Sequence, residues 1–233
     1  MGESAQKRLI RKLELELFLS QLGSQPSPKA DLEQYTISEA IAAKILYLAA
    51  YTNGAIVGKT VLDLGCGTGR LALAACYLDA QCVVGIDIDK AAIKKASENS
   101  EKVGFKTKIQ WIVGDINAIT GSFDTVLQNP PFGVQKRAAD RKFLEKALEV
   151  GNIVYSLHNH PHTDKQLIQR LKANPGNLLP VAPSPFIENF IVSRQGIVKG
   201  VYALLMTIPH IFDFHTKIKH EFVVDLYFIK KSG

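Results

Sequence analysis

The sequence predicts an α/β fold: a mostly parallel sheet with helices on both faces and an antiparallel C-terminal hairpin. Three observations carry this. From Lys59 onward, short β-branched runs alternate with helical stretches, the pattern of a parallel sheet with crossover helices. The first run leads into a glycine-rich string, Asp63-Leu64-Gly65-Cys66-Gly67-Thr68-Gly69, and a helix follows it. Two apolar runs, Gly200–Ile208 and Glu221–Ile229, close the chain with no helix pattern between them.

Taken in order, residues 7–22 read as an amphipathic helix with leucines at 9, 13, 17 and at 15, 19, 22. Pro26 and Pro28 mark a linker, and Ser38 can cap a helix over Glu39–Ala50. Strands are expected at Lys59–Leu64, Gln81–Ile88, Lys108–Val113, Phe123–Gln128 and, briefly, Ile153–Ser156. Helices are expected at Leu71–Leu78, Lys90–Val103, Arg141–Val150 and Pro185–Arg194. After His158 the alternation breaks, and 159–186 reads as an insertion or mobile loop with a short helical stretch. The expected organisation is one domain: a helical extension over 1–55, a binding core over 56–158, the 159–186 segment, and a helix with a strand hairpin over 187–233.

A chain of 233 residues suits one core, and 46% hydrophobic content argues against disorder. The net charge of +6 favours a polyanionic partner such as RNA or DNA. Cys66, Cys76 and Cys82 show no CxxC spacing, which argues against a disulfide framework or zinc site and for a reducing, cytoplasmic compartment. The stretch MGESAQKRLIRK lacks the apolar centre of a signal peptide, and no apolar run is long enough to span a bilayer. His158, His160 and His162 match no standard metal spacing and read as a polar loop, so no metal is expected.

The glycine string lies where a strand turns into a helix. Backbone without Cβ atoms can approach a ligand closely there, and the helix start offers free N–H groups. The G-x-G-x-G spacing differs from the dinucleotide fingerprint G-x-G-x-x-G and favours S-adenosylmethionine. Gly65, Gly67, Thr68 and Gly69 would cradle it, with Asp63 bracing the loop through backbone N–H groups. Asp87 ends the second strand about twenty residues on, where a carboxylate can accept both ribose hydroxyls, with Ile88 beside it. Asp115 ends the third strand and can accept from an adenine amino group, with Ile116 against the ring. Asp89 reads as a helix cap.

The fourth strand ends in Asn129-Pro130-Pro131-Phe132. An exocyclic base amine is a weak nucleophile because its lone pair is delocalised into the ring. Two acceptors, the Asn129 side-chain oxygen and the Pro130 carbonyl, can hold its N–H groups and aim the lone pair at a methyl donor. Pro130 and Pro131 stiffen the loop, and Phe132 can stack on the base. Such a pocket needs the base single-stranded or flipped out. Lys136 and Arg137, with Arg141 and Lys142, could hold phosphates or form a solvated helix start. His215 and Lys217 lie in an aromatic, basic joining segment, and His215 reads equally as a phosphate contact or a structural histidine.

In this order, Leu32-Glu33-Gln34-Tyr35, the glycine string, Gly85-Ile86-Asp87-Ile88-Asp89, Asn129-Pro130-Pro131-Phe132-Gly133, Val154-Tyr155-Ser156-Leu157-His158 and Phe214-His215 with Val224-Asp225-Leu226 resemble the methyltransferase-like protein 5 family. The resemblance implies a class I methyltransferase fold and S-adenosylmethionine as cofactor. It also implies N6-adenine methylation of small-subunit ribosomal RNA. It places Gln34 on an N-terminal segment closing over the methionine end of the cofactor, with Thr36 and Ser38 as candidate hydroxyls nearby. Eukaryotic members use a small zinc-binding activator protein, an implied partner here. Three other readings stand beside it: methylation of a release-factor glutamine, guanine N2 methylation in ribosomal RNA, and a non-enzymatic RNA-binding ribosome-assembly protein.

Overall fold

Strands buried on both faces need near-continuous apolar sequence, and the first runs, such as Thr60-Val61-Leu62 and Val83-Val84, supply it. A computed structural model describes residues 9–25, 28–29, 32–34, 37–132, 139–161, 165–173, 177–209 and 219–232. Strands β1 (Thr60–Leu64), β2 (Cys82–Asp87), β3 (Ile109–Val113), β4 (Phe123–Gln128) and β5 (Gly151–Asn159) form the parallel part. Helices α3 (Arg70–Tyr77), α4 (Lys90–Lys102) and α5 (Ala139–Val150) connect them. Strands β7 (Gly196–Pro209) and β8 (Lys219–Lys231) pair antiparallel, and β8 also lies antiparallel to β5. A two-residue strand, β6 (Leu179–Pro180), borders β7. The sheet order is β3-β2-β1-β4-β5-β8-β7-β6.

Neighbouring residues alternate between the two cores. Leu127 and Tyr155 face the cluster shared with α1 (Lys12–Leu19), α2 (Glu39–Tyr47) and α3, while Val126 and Val154 face the one shared with α5 and α7 (Pro185–Val192). Ser38 caps α2 by accepting from the Ile41 amide at 3.4 Å. On α1, Leu15, Phe18 and Leu19 are buried while Leu13 and Leu17, like Leu9 ahead of the helix, are exposed, so one of the two expected leucine stripes faces the core.

The fifth strand is longer than its local pattern suggests. Its expected span was Ile153–Ser156, but it runs to Asn159 because β8 pairs along it as far as Val224. Within 159–186, α6 (Lys165–Ala173) sets Leu167 and Leu171 against Ala203 and Val223. Among the described residues, no helix is long and apolar enough to cross a membrane.

Candidate active site

The carboxyl ends of β1, β2, β3 and β4 meet at one cavity of about 280 Å3, where ligands bind in such sheets. Gly65, Gly67 and Thr68 line it, as do Asp63, Asp87, Ile88, Asp115, Ile116, Asn129 and Pro131. Gln34 reaches it from the N-terminal segment. Gly69 does not line it and starts α3 instead, as the helix N-cap with φ +83°. A Cβ on Gly69 would stand 2.4 Å from the Trp111 ring, so that ring needs the glycine.

Asp87 takes two backbone bonds, from the Gly67 amide at 2.8 Å and the Asp89 amide at 2.9 Å. Each carboxylate oxygen keeps acceptor capacity for a ligand hydroxyl. Burial pushes the Asp87 carboxyl up against these bonds. Asp63 was expected to brace the glycine string, but its Oδ2 accepts from the Ala72 amide at 2.9 Å, in the first turn of α3. It satisfies an orphan N–H of that helix start. Burial, opposed by this bond and reinforced by the Asp87 charge, raises its pKa to about 7.

Ile88 is 58% exposed although it lines the cavity, an apolar surface suited to a ring. Asp115 is exposed and accepts from the Asn117 amide at 2.8 Å through one oxygen, leaving the other available. These acceptors, with the apolar Ile88 surface, fit a nucleoside carrying a ribose diol and an adenine. Cys66 is buried, and burial pushes its thiol well above its usual range, so it packs rather than reacts.

The Asn129-Pro130-Pro131-Phe132 string divides. Asn129 and Pro131 line the cavity, while Pro130 is buried and Phe132 does not line it. The Phe132 ring makes an edge contact with Phe222 of β8 at 5.6 Å. Lys142 lines the cavity and the Arg141 guanidinium lies 5.6 Å from the exposed Phe186 ring. Lys136, Arg137, His215, Lys217 and Thr36 fall outside the described residues.

Two residues have larger roles than their sequence context signals. Asp89 caps α4 through the Ala91 amide, as expected, but also accepts from Gln25 at 3.0 Å, Lys29 at 3.0 Å and Gln34 at 2.8 Å. Arg70 donates to the Ile37 carbonyl at 2.7 Å and pairs with Glu39 at 2.9 Å. Together they fasten the N-terminal segment over the cavity. The polar-loop reading of His158 and His160 is corrected. His158 is 2% exposed in β5, and His160 pairs with buried Asp225 at 2.9 Å. Asp225 comes from a strand 65 positions further along the chain, which hid the pairing in the sequence.

A family model described as a methyltransferase domain matches residues 57–189. An uncharacterised protein of Methanocaldococcus jannaschii is 37% identical over 97% of this chain and 96% of its own length. The rRNA N(6)-adenosine-methyltransferase METTL5 of Danio rerio is 40% identical over 62% of this chain and 72% of its own. The crystal structure of a proposed RNA methyltransferase of Pyrococcus horikoshii superposes with a TM-score of 0.79 at 35% identity, covering 97% of this chain and all of that one. The chain belongs to the methyltransferase-like protein 5 family of class I methyltransferases, with S-adenosylmethionine as its cofactor.

Proposed function

We propose that this protein methylates the exocyclic N6 of an adenine in RNA, and specifically in small-subunit ribosomal RNA. The observation that carries the reading is that Asn129, at the end of β4, lines the same cavity as Gly65, Gly67 and Asp87. Acceptor motif and cofactor cradle thus share one space, as in-line transfer requires. The methyltransferase activity named for the Danio rerio relative supports the substrate assignment, and the net charge of +6 is consistent with it.

S-adenosylmethionine supplies an activated methyl group when bound. Asp87 would hold the ribose hydroxyls, Asp115 the adenine amine, and Ile88 and Ile116 the ring faces. Gln34 would close the methionine end, with Gly65, Gly67, Thr68 and Gly69 supplying backbone to the cradle and the helix start. Asn129 and the Pro130 carbonyl would accept the two N–H groups of the target amine, so positioning does the work that a strong base does elsewhere. Phe132 would support the target base only if substrate draws its ring away from Phe222. Lys136, Arg137, His215 and Lys217 belong to this reading as phosphate contacts. The family resemblance adds a small zinc-binding activator, tested by whether the purified chain turns over alone.

The test is methyl transfer from labelled S-adenosylmethionine to small-subunit ribosomal RNA from a strain lacking this protein, followed by nucleoside mass spectrometry. N6-methyladenosine, lost in Asn129→Ala, is expected. Label in a release-factor glutamine, with none in RNA, would overturn the reading. Asp87→Ala should weaken cofactor binding by tenfold or more, on the order of one charged hydrogen bond.

A further inference from the structure

Behind the cavity lies a row of polar side chains that the reaction does not touch. Gln128, the last residue of β4, donates from Nε2 to Ser156 Oγ at 2.7 Å. Ser156 Oγ lies 2.7 Å from His158 Nε2, and His158 Nδ1 faces Asp140 Oδ2 at 3.9 Å. Gln128, Ser156 and His158 are buried, at 1%, 0% and 2% exposure, and Asp140 is partly buried in the first turn of α5. Ser156 accepts from Gln128 and donates to Nε2, which leaves the ring proton on Nδ1, buried without a hydrogen-bond partner among the described residues and with the Asp140 carboxylate as its charged neighbour at 3.9 Å. Burial would raise the Asp140 carboxyl, but His158 and Arg141 together outweigh this and hold it below the usual range.

Serine, histidine and aspartate in this order resemble a hydrolytic triad. Ser156 is wholly enclosed and already bonded to Gln128, so no substrate reaches its oxygen. The row must act on geometry instead. Its two ends belong to the two walls of the cavity. Gln128 directly precedes Asn129, which with Pro131 forms one wall, and Asp140 sits in the helix whose Ala139, Lys142 and Phe143 form the other.

We propose that His158 is a positioning residue that sets the spacing between the Asn129 wall and the α5 wall, acting through Ser156–Gln128 on one side and Asp140 on the other. An apolar side chain at 158 could fill the volume, but it would fix neither distance. Buried polar networks are demanding in partner placement and therefore specify one arrangement. Displacing a reacting group by about 1 Å can cost about a hundredfold in rate. The effect belongs in turnover and not in cofactor affinity, because Asp87 ends β2 and the glycine string joins β1 to α3, and neither belongs to the row. The inference rests on the role assigned to Asn129.

The experiment compares Asp140→Ala, Asp140→Asn, His158→Gln and Asn129→Ala for kcat, KM for RNA, S-adenosylmethionine Kd and melting temperature. Asp140 is the primary test because it is partly exposed and its loss leaves the sheet interior intact. Asp140→Ala is expected to lower kcat by about tenfold or more, with cofactor Kd and melting temperature close to the unaltered protein. Asp140→Asn, which keeps a side-chain oxygen facing Nδ1 but removes the charge, should recover part of that loss. His158→Gln should lower kcat in the same way wherever it folds. If Asn129→Ala is inactive while Asp140→Ala and folded His158→Gln keep full kcat, the positioning role is wrong and the assigned site stands. If turnover, cofactor affinity and melting temperature fall together in Asp140→Ala, the row is merely structural and the proposal fails. If Asn129→Ala keeps full turnover, the site assignment itself fails, and the positioning role with it.

Discussion

The side-chain amide of Gln34 donates to Asp89 Oδ2 at 2.8 Å across 55 positions of sequence. The same carboxylate holds Gln25, Lys29 and the start of α4. Burial would raise its pKa, but the bonds from Gln34 and Lys29 outweigh that and keep it below the usual carboxylate range. A depressed folded pKa means the fastening is complete above the ordinary pKa and is lost as pH falls through the folded value. Asp89→Ala should therefore weaken S-adenosylmethionine binding by about tenfold at neutral pH. Isothermal titration calorimetry checks this, and unchanged affinity would separate the N-terminal segment from cofactor retention.

Asn129→Asp should retain more methyl transfer than Asn129→Ala, because the carboxylate keeps an oxygen to accept from the target amine. Asn129→Ala should lose about a hundredfold or more in kcat, in the range seen for lost oriented acceptors and donors. Single-turnover assays at saturating cofactor separate the two. Equal residual rates would show that the side-chain oxygen is not the acceptor.

Gly69→Ala should lower stability by about 1–3 kcal/mol, since φ is +83° and the new Cβ would meet the Trp111 ring. Trp111→Leu removes that ring, so the same glycine substitution should cost less in its presence. A denaturant-unfolding double-mutant cycle measures the difference. Additive effects would show that the ring does not require the glycine.

Asp63 carries a raised pKa of about 7 against an ordinary value of 3.8. Between these values the folded state binds more protons than the unfolded chain, so stability falls as pH rises through the window. The span is worth on the order of a few kcal/mol. Asp63→Asn keeps an oxygen for the Ala72 amide and removes the titration. Its melting temperature relative to the unaltered protein should rise between pH 5 and pH 8. A constant difference across that range would exclude Asp63 as the source.

The parallel half of the fold was legible because its signals are local. Strand, glycine string and helix follow one another within a few residues, and Asp87 and Asp115 reach the cavity because each ends a strand. Gln34 was placed by resemblance alone, and its actual partner, Asp89, read only as a cap. One carboxylate can cap a helix and still accept from three distant side chains, and nothing in Asp87-Ile88-Asp89 reports those visitors. His158 and His160 were misread for the same reason: Asp140 lies across a connection, and Asp225 arrives from β8. The edge contact of the Phe132 ring with Phe222 is another contribution of β8 that nothing local to Phe132 signals. What the sequence hid is mostly what β8 brings.

The placement of β8 between β5 and β7 also dictates an order of assembly. β7 is synthesised first, yet it has no partner within the parallel sheet; it joins that sheet only through β8. Until residues 219–231 emerge, the outer edge of β5 is unpaired and β6 and β7 have no strand that joins them to the parallel sheet. Such long-range pairing is slow and leaves an exposed strand edge in the meantime. Nascent chains stalled before β8 should therefore be the species most prone to bind chaperones or aggregate.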